Sequence, residues 1–276
     1  MTRHPPMTAS SRVILITGAS SGIGRVCAEH LQQRGHRVFG ASRHPQPREA
    51  FVPLEMDVDD DDSVQRGVAR VLAEAGRLDV LVNNAGYALA GAVEDTSIEE
   101  AQAQFNTNFF GALRVMRAVL PAMRRQRSGL IVNISSIGGT LGLPFQGLYS
   151  ASKVALEELT EALNHEVRPF GIRAVLIRPG DFHTNGTANR RRAARALDDS
   201  AYRAQFERTL QTVEHDELNA PAPHAVARAL EHIVAVRQPR PHYTVGPFIQ
   251  QAAVWARPLV PDWLFQLVVR KYYRLD

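Results

Sequence analysis

The sequence contains very little cysteine and no long hydrophobic run. Cys27 is the only cysteine among 276 residues, which excludes an intramolecular disulfide and a zinc site built on cysteine pairs. No apolar stretch approaches the roughly 20 residues that span a bilayer. Residues 1–11 are polar and contain prolines rather than the apolar core of a signal peptide, so we predict a disordered tail and a cytoplasmic protein.

Net charge is small as well. The 32 basic and 28 acidic residues leave a formal charge of +4, and the only dense basic group is residues 190–192 with Arg195. A nucleic-acid-binding protein concentrates positive charge on one face, so no nucleic-acid partner is expected. We predict that these arginines lie on a solvated helix face, with the binding of an acidic substrate as the alternative.

Short apolar runs alternate with stretches of helical length. The runs cover residues 13–16, 37–41, 80–83, 130–134 and 173–177. Strands separated by helices are typical of βαβ units, in which a parallel sheet is covered by helices on both faces. The pattern therefore predicts an α/β fold.

The chain shows no linker, internal repeat or low-complexity tract that would divide it. We predict one domain over residues 12–238, with a mostly helical insertion over 181–220. A C-terminal extension over 239–276 packs on the domain or at an interface. The aspartates within 57–62 are interpreted as caps and first-turn charges of a helix, and no metal site is predicted.

A glycine-rich turn follows the first predicted strand. Gly18, Gly22 and Gly24 are spaced Gly-x-x-x-Gly-x-Gly before a helix, and glycines at such a turn let the backbone approach a pyrophosphate at the helix N-terminus. An ordinary βα loop is the alternative for a turn taken alone. Three further motifs follow in order: Asn83-Asn84-Ala85-Gly86, Tyr149-Ser-Ala-Ser-Lys153, and Pro179-Gly180 with Thr184.

Together these motifs resemble the classical short-chain dehydrogenase/reductase family over about residues 12–184. The resemblance implies a single Rossmann-type doubly wound parallel sheet, a substrate lid over 181–220, and a nicotinamide dinucleotide cofactor. It also implies the cofactor-binding residues, which are Gly18, Ser20, Ser21, Gly22, Ile23, Gly24, Ser42, Arg43, Asp57, Val58, Asn84, Ala85, Gly86, Tyr149, Lys153, Pro179, Gly180, Phe182 and Thr184.

Arg43 bears on the choice of cofactor. An NAD enzyme places an acidic residue after its second strand, whereas this chain has Ser42 and Arg43 there. An arginine can form charge-assisted hydrogen bonds to a 2′-phosphate, so NADP(H) is predicted in preference to NAD(H). An exposed loop arginine without this role is the alternative.

Tyr149 and Lys153 lie four residues apart on a predicted helix and therefore share one face. A nearby ammonium stabilises a phenolate, so we predict that Lys153 lowers the pKa of Tyr149. The resemblance implies that Lys153 also binds the nicotinamide ribose and that Asn108 holds a water. It implies that Ser136 binds the substrate oxygen, with the adjacent Ser135 as the rival. A solvated helical amide is the alternative for Asn108.

The implied reaction is hydride transfer to a carbonyl carbon, with Tyr149 protonating the oxygen. The candidate pocket walls are Tyr87, Leu89, Leu141, Leu143, Phe145 and Phe182. The stretch from Ile137 to Phe145, read together with Tyr149, resembles the 17β-hydroxysteroid dehydrogenase branch. This resemblance implies a bulky hydrophobic substrate of steroid, retinoid or lipid-like character. A non-catalytic NADP-binding sensor or scaffold and a membrane-peripheral lipid ketoreductase are the alternatives.

The C-terminal segment 255–274 combines aromatic and basic residues. It is predicted to pack on the body or on a partner subunit, with weak contact to an anionic membrane surface or coverage of the substrate cleft as alternatives. The resemblance also implies a homodimer or homotetramer.

Overall fold

The computed structural model describes residues 11–46, 50–184, 186–187, 189–198 and 200–275. Of the predicted tail, residues 1–10 lie outside the described residues. Seven parallel strands form one sheet in the order β3-β2-β1-β4-β6-β7-β9. These strands are β1 Val13–Thr17, β2 Arg37–Ser42, β3 Val52–Glu55, β4 Val80–Asn83, β6 Gly129–Ile134, β7 Ile172–Pro179 and β9 His242–Val245. Two-residue strands β5, Leu89–Ala90, and β8, Arg191–Arg192, form a separate parallel pair.

The five predicted strands are confirmed. The other two strands of the large sheet, β3 and β9, were missed, as was the short pair β5 and β8. Both missed strands are edge strands of four residues. β3 contains Pro53, which an edge strand tolerates and a central strand does not. β9 is only half-buried along its length, so its sequence lacks the continuous apolar run of the central strands.

Helices cover both faces of the sheet. They are α1 Gly22–Gln33, α2 Asp61–Ala75, α3 Ile98–Phe105, α4 Ala112–Gln126, α5 Gly138–Leu141, α6 Gly147–Val167, α7 Arg203–Asn219, α8 His224–Ala235, α9 Phe248–Ala256 and α10 Asp262–Tyr272. Asn106–Gly111 form a π-helical turn between α3 and α4. None of the helices in the described part of the chain has the length and apolarity needed to cross a membrane.

Side chains that alternate along the strands build two cores. Leu15 on β1 packs into one core with Met116 of α4 and Leu156 of α6. Its neighbours on β1 pack into the other core with Leu31 of α1 and Leu230 of α8. Alternate residues of a strand point to opposite faces, and this accounts for the nearly continuous apolar sequence of the central strands.

The strand order reverses between β1 and β4. From β1 the chain adds strands toward one edge of the sheet, and from β4 it adds them toward the other edge. A crevice forms outside the carboxyl ends of the strands at such a switch point. The aspartates near α2 cap that helix as predicted, since the Asp60 carboxylate accepts the Ser63 N–H at 2.6 Å. Within the described residues, no group of three potential metal ligands comes together.

The basic residues 190–192 do not lie on a solvated helix face, so the prediction is wrong for these three, whereas Arg195 is exposed on the short 3-10 helix Ala194–Leu197. Arg191 and Arg192 form β8. The side chain of Arg190 is only 3% exposed and pairs with Glu217. Helix α7 supplies the partners, because Glu217 pairs with Arg190 and Glu214 binds Arg192 at 3.2 Å.

Candidate active site

The glycine turn packs directly against the end of β4. Gly18 has φ +67°, and a Cβ there would lie 2.8 Å from the Cα of Ala85. Asn84 holds the turn, because its side-chain amide donates to the carbonyls of Thr17 at 3.0 Å and Gly18 at 3.2 Å. A Cβ at Gly24 would collide with the same amide at 2.4 Å. The glycines are therefore required by close packing as well as by backbone conformation.

This turn forms one wall of a cavity of about 510 Å³, here called the cofactor cavity. Fifteen predicted cofactor-binding residues line it, namely Gly18, Ser20, Ser21, Gly22, Ile23, Ser42, Arg43, Asp57, Val58, Asn84, Ala85, Gly86, Tyr149, Lys153 and Thr184. Gly24 lies behind the turn against Asn84. Pro179 is buried at the end of β7, where its carbonyl accepts the N–H of Ile137.

A second cavity of about 340 Å³, here called the substrate cavity, adjoins the first. Six residues line both, namely Ile23, Ala88, Tyr149, Thr184, Gly186 and Glu217. Its walls are mostly apolar. Besides Gly180 and Ser136 they include Leu141, Leu143, Phe182, Val213, Phe265, Val268 and Val269. The last three belong to α10, so the C-terminal extension helps to enclose this cavity.

Some of the predicted pocket walls lie elsewhere. Tyr87 lines the cofactor cavity instead, where the Arg191 guanidinium lies 4.3 Å from its ring centre. Leu89 is buried in β5. Phe145 packs edge-on against Phe206 of α7 at 5.7 Å. The sequence placed these apolar residues near the site but did not determine which surface each one covers.

Tyr149 and Lys153 lie on the first turns of α6, facing the same side. Lys153 is buried and donates to the carbonyl of Ile134 at 3.0 Å, and its ammonium lies 5.8 Å from the centre of the Tyr149 ring. Burial lowers the pKa of Lys153 to about 8, and Glu157 raises it by a smaller amount. Its ammonium is therefore present at neutral pH and lost in mild alkali.

The predicted direction of the pKa of Tyr149 is wrong. Burial raises this pKa, and a side-chain hydrogen bond with Ser136 lowers it by less. The Lys153 hydrogen bond is directed at the Ile134 carbonyl rather than at the phenol oxygen, so the ammonium does not offset the loss of solvation. Tyr149 is a protonated phenol at neutral pH.

The two serines at the end of β6 have different surroundings. The Ser135 hydroxyl is buried and donates to the Glu157 carboxylate at 2.6 Å. The Ser136 oxygen accepts the Gly138 N–H at 3.0 Å and lines the substrate cavity beside Tyr149. Ser136 thus has the position predicted for binding a substrate oxygen, and Ser135 has a structural partner instead.

Asn108 lies in the π-helical turn, and the alternative of a solvated amide is wrong because the residue is only 1% exposed. Its amide accepts the N–H of Tyr87 at 3.1 Å and donates to the carbonyl of Tyr87 at 3.0 Å and to Ser152 at 3.2 Å. Single π-helical turns occur frequently at functional sites. Asn108 therefore fixes the chain beside Lys153, and its role in holding water stays a prediction.

Glu157 and Arg178 were not identified from the sequence. Arg178 donates to the Glu157 carboxylate at 2.6 Å. The same carboxylate accepts the Ser135 hydroxyl and raises the pKa of Lys153. Glu157 follows Lys153 by four residues on α6, and this spacing could have indicated the contact. Arg178, on β7, carries no such signal because the contact joins distant parts of the chain.

Comparisons with known proteins agree with this geometry. A family model described as short chain dehydrogenase matches residues 12–195. A 3-ketodihydrosphingosine reductase of Bacteroides thetaiotaomicron is 43% identical over 265 residues, covering 96% of this chain and 98% of that protein. The uncharacterized oxidoreductase YusZ of Bacillus subtilis is 34% identical over 283 residues, covering 95% and 98%.

A solved structure shows the same fold. The short-chain dehydrogenase from Streptomyces avermitilis has a TM-score of 0.81 at 33% identity, with 96% of this chain and 97% of that chain covered. The glycine turn, the Tyr149/Lys153 pair and the doubly wound sheet thus occur together in a chain that matches the family along most of its length. The chain belongs to the short-chain dehydrogenase/reductase family of oxidoreductases, which act on alcohol and keto groups with a nicotinamide dinucleotide.

Proposed function

We propose that this chain is an NADP(H)-dependent reductase that converts the ketone of a lipid-like substrate into an alcohol. The observation that carries the proposal is the position of Tyr149, which lines both the cofactor cavity and the substrate cavity. A group bound in either cavity can therefore approach the same phenol. The fit of the dinucleotide is supported by the glycine turn, where Gly18 and Gly24 leave no room for a side chain.

A nicotinamide dinucleotide held by the residues of the cofactor cavity would supply the hydride for the carbonyl carbon. Tyr149 donates its proton to the carbonyl oxygen, and the Ser136 hydroxyl hydrogen-bonds the same oxygen as negative charge develops there. Burial keeps Tyr149 protonated at neutral pH, and a protonated phenol suits reduction better than oxidation. Lys153 lines the cofactor cavity, with its ammonium 5.8 Å from the centre of the Tyr149 ring, and would hold the nicotinamide ribose there.

Apolar walls support a hydrophobic substrate. The substrate cavity is bounded by aliphatic and aromatic side chains from α7 and α10 and by Phe182 after β7, which is consistent with a lid over 181–220 and a covering C-terminal extension. A lipid-like chain is favoured over a steroid or retinoid because α10 also exposes Val268 at the rim, where a long chain could extend outward. The 43% identical relative, named 3-ketodihydrosphingosine reductase, supports a keto lipid as the substrate.

The activity is tested with purified protein, a panel of long-chain ketones and either NADPH or NADH, with consumption of the reduced nicotinamide followed by absorbance. Saturable NADPH consumption with a ketone bearing a long alkyl chain is the expected result. Reduction of compact ketones only, with no long-chain ketone accepted, would contradict the lipid-like substrate.

Arg43 supports the preference for NADP(H). It is exposed at the edge of the cofactor cavity next to Ser42, where a 2′-phosphate of the adenosine ribose would lie. We expect Arg43→Ala to raise KM for NADPH about 10- to 100-fold, the loss of a charge-assisted hydrogen bond, and to change KM for NADH little. Arg66→Ala, which removes an exposed arginine of α2 outside the cavity, is the control. Equal changes for both cofactors would contradict the preference.

A second candidate function, a ketoreductase that works at a membrane surface, is favoured by the exposed side chains of the C-terminal extension. Phe248, Ile249, Trp255, Leu259 and Trp263 are between 59% and 84% exposed. The basic residues of the same extension include Arg257, Arg270, Lys271 and Arg274. Apolar side chains flanked by cations are typical of segments that lie on anionic lipid, and Ile249 also lines the substrate cavity.

Co-sedimentation with vesicles tests this candidate. We expect the wild-type protein to bind phosphatidylserine-containing vesicles more strongly than phosphatidylcholine vesicles, and the Leu259→Asp/Trp263→Asp variant to lose most of that binding. The matched control is Val93→Asp, since Val93 is 74% exposed but lies outside the extension. Equal binding by the double variant would show that the extension does not contact lipid.

A further inference from the structure

The charged residues of the substrate cavity all have the same sign. Among its described lining residues the only ionisable acids and bases other than tyrosines are Asp181, Asp216 and Glu217. Lysine, arginine and histidine are absent from that described lining. A purely hydrophobic substrate would not require carboxylates beside the reacting phenol, because burying an unpaired charge costs free energy.

Asp181 is held in place by α9. Its backbone N–H donates to the side-chain oxygen of Gln250 at 2.8 Å, and the Gln250 amide donates back to the Asp181 carboxylate at 2.5 Å. Gly180 makes this contact feasible, since a Cβ there would lie 2.2 Å from the Gln250 oxygen. Two elements far apart in sequence therefore position one carboxylate in the cavity.

The other two acids already have partners. Glu217 pairs with the buried Arg190 and accepts the Thr187 hydroxyl at 2.6 Å. Asp216 accepts the hydroxyl of Tyr272 at 2.5 Å. Asp181 forms no salt bridge within the described part of the chain, and its hydrogen bonds come from a neutral amide. Arg190 acts on it only from a distance, because the salt bridges of that guanidinium go to Glu214 and Glu217. Asp181 is therefore the acid of this cavity without a direct ionic partner.

The charge state of Asp181 is suited to binding a cation. Burial raises its pKa to about 6. The hydrogen bond from Gln250 and the charge of Arg190 lower this pKa, and Glu217 and Asp216 raise it further. The carboxylate is mostly ionised at pH 7 and is stabilised by any cation that enters the cavity. Asp181 and Tyr149 both line the substrate cavity, so one bound molecule can reach the carboxylate and the phenol together.

We infer that Asp181 binds a cationic amine of the substrate, close to the carbonyl group that Tyr149 protonates. This inference rests on the proposed reductase function and refines its substrate class to long-chain amino ketones. Glu217 and Asp216 contribute negative potential, and Gln250 is a positioning residue that fixes the carboxylate. An ammonium hydrogen-bonded to a buried carboxylate is a charge-assisted contact, so the carboxylate selects the amino compound over its amine-free analogue.

Kinetics on a matched pair of substrates test the inference. We compare a long-chain ketone bearing an amine on the adjacent carbon with the same ketone lacking the amine. Wild-type kcat/KM is expected to be about 10- to 100-fold higher for the amino ketone. Asp181→Asn retains the hydrogen bond with Gln250 but removes the charge, and it should abolish this ratio mainly through KM. Asp62→Asn, on the exposed start of α2, is the control.

A binding measurement separates this inference from the reductase proposal. Calorimetry with the protein and NADP⁺ compares decylamine with decanol, and we expect the amine to bind more tightly in wild type but not in Asp181→Asn. If decylamine shows this preference while neither ketone consumes NADPH, the amine site stands and the reductase activity is wrong. If both ketones are reduced with equal kcat/KM, the reductase stands and the amine site is wrong. The wild-type comparisons decide the matter even if the variant fails to fold.

Discussion

Tyr149→Phe is expected to lower kcat/KM for ketone reduction by about 10²- to 10⁴-fold, the usual contribution of a positioned general acid. The substitution removes only the phenol oxygen, and the ring keeps its place in the wall between the two cavities. NADPH affinity, measured by the fluorescence of the bound nucleotide, should therefore remain close to that of wild type. If Tyr149→Phe loses ketone reduction but still binds NADPH, the hydroxyl is identified as the proton donor.

Tyr202→Phe is the matched control, because the Tyr202 hydroxyl bonds the exposed Glu94 at 2.7 Å, away from both cavities. A Tyr149→Phe variant that bound NADPH normally and turned over like wild type would support the alternative of a non-catalytic sensor or scaffold.

The pH dependence of ketone reduction gives a second test of the site. Lys153 is charged below its pKa of about 8 and neutral above it, so wild-type reduction should decline as the pH rises through that value.

The central strands and the cofactor cavity were predictable because local sequence determines them. Buried parallel strands require continuous apolar runs, and a turn that approaches another backbone requires glycine, as at Gly18 beside Ala85. The four family motifs added the order in which these turns meet at one edge of the sheet. The resemblance to the 17β-hydroxysteroid dehydrogenase branch, the water-holding role of Asn108 and the homodimer or homotetramer stay predictions.

Contacts between distant segments could not be predicted in the same way. Arg190 looks like one member of an exposed basic cluster in the sequence, yet it is buried against Glu217 of α7. Asp181 looks like an ordinary acidic loop residue in the sequence. Its carboxylate nevertheless accepts a hydrogen bond from Gln250, which lies 69 residues further along the chain. In each case the partner's identity depends on how the lid and the C-terminal extension fold over the cavity, which no local periodicity encodes.

Gly18→Ala is expected to lower kcat/KM with NADPH by about 10²-fold or more, since a shift of about 1 Å in a binding loop has such an effect. Any residue with a Cβ at this φ of +67° adds strain of about 1–2 kcal/mol, and here the Cβ would also lie 2.8 Å from the Ala85 backbone. The turn must then move away from β4, and the contacts that it makes with the dinucleotide are weakened.

Gly76→Ala isolates the contribution of close packing. Gly76 ends α2 at φ +72°, almost the same backbone conformation, but nothing lies within 4 Å of a Cβ placed there. Thermal unfolding should show both variants destabilised by backbone strain, while nucleotide titration should show weakened NADPH binding in Gly18→Ala alone. If both variants bound NADPH as wild type does, the turn between β1 and α1 would not be the pyrophosphate site. Weakened binding in both would instead trace the effect to overall stability, because only a loss confined to Gly18 requires contact between the nucleotide and the turn.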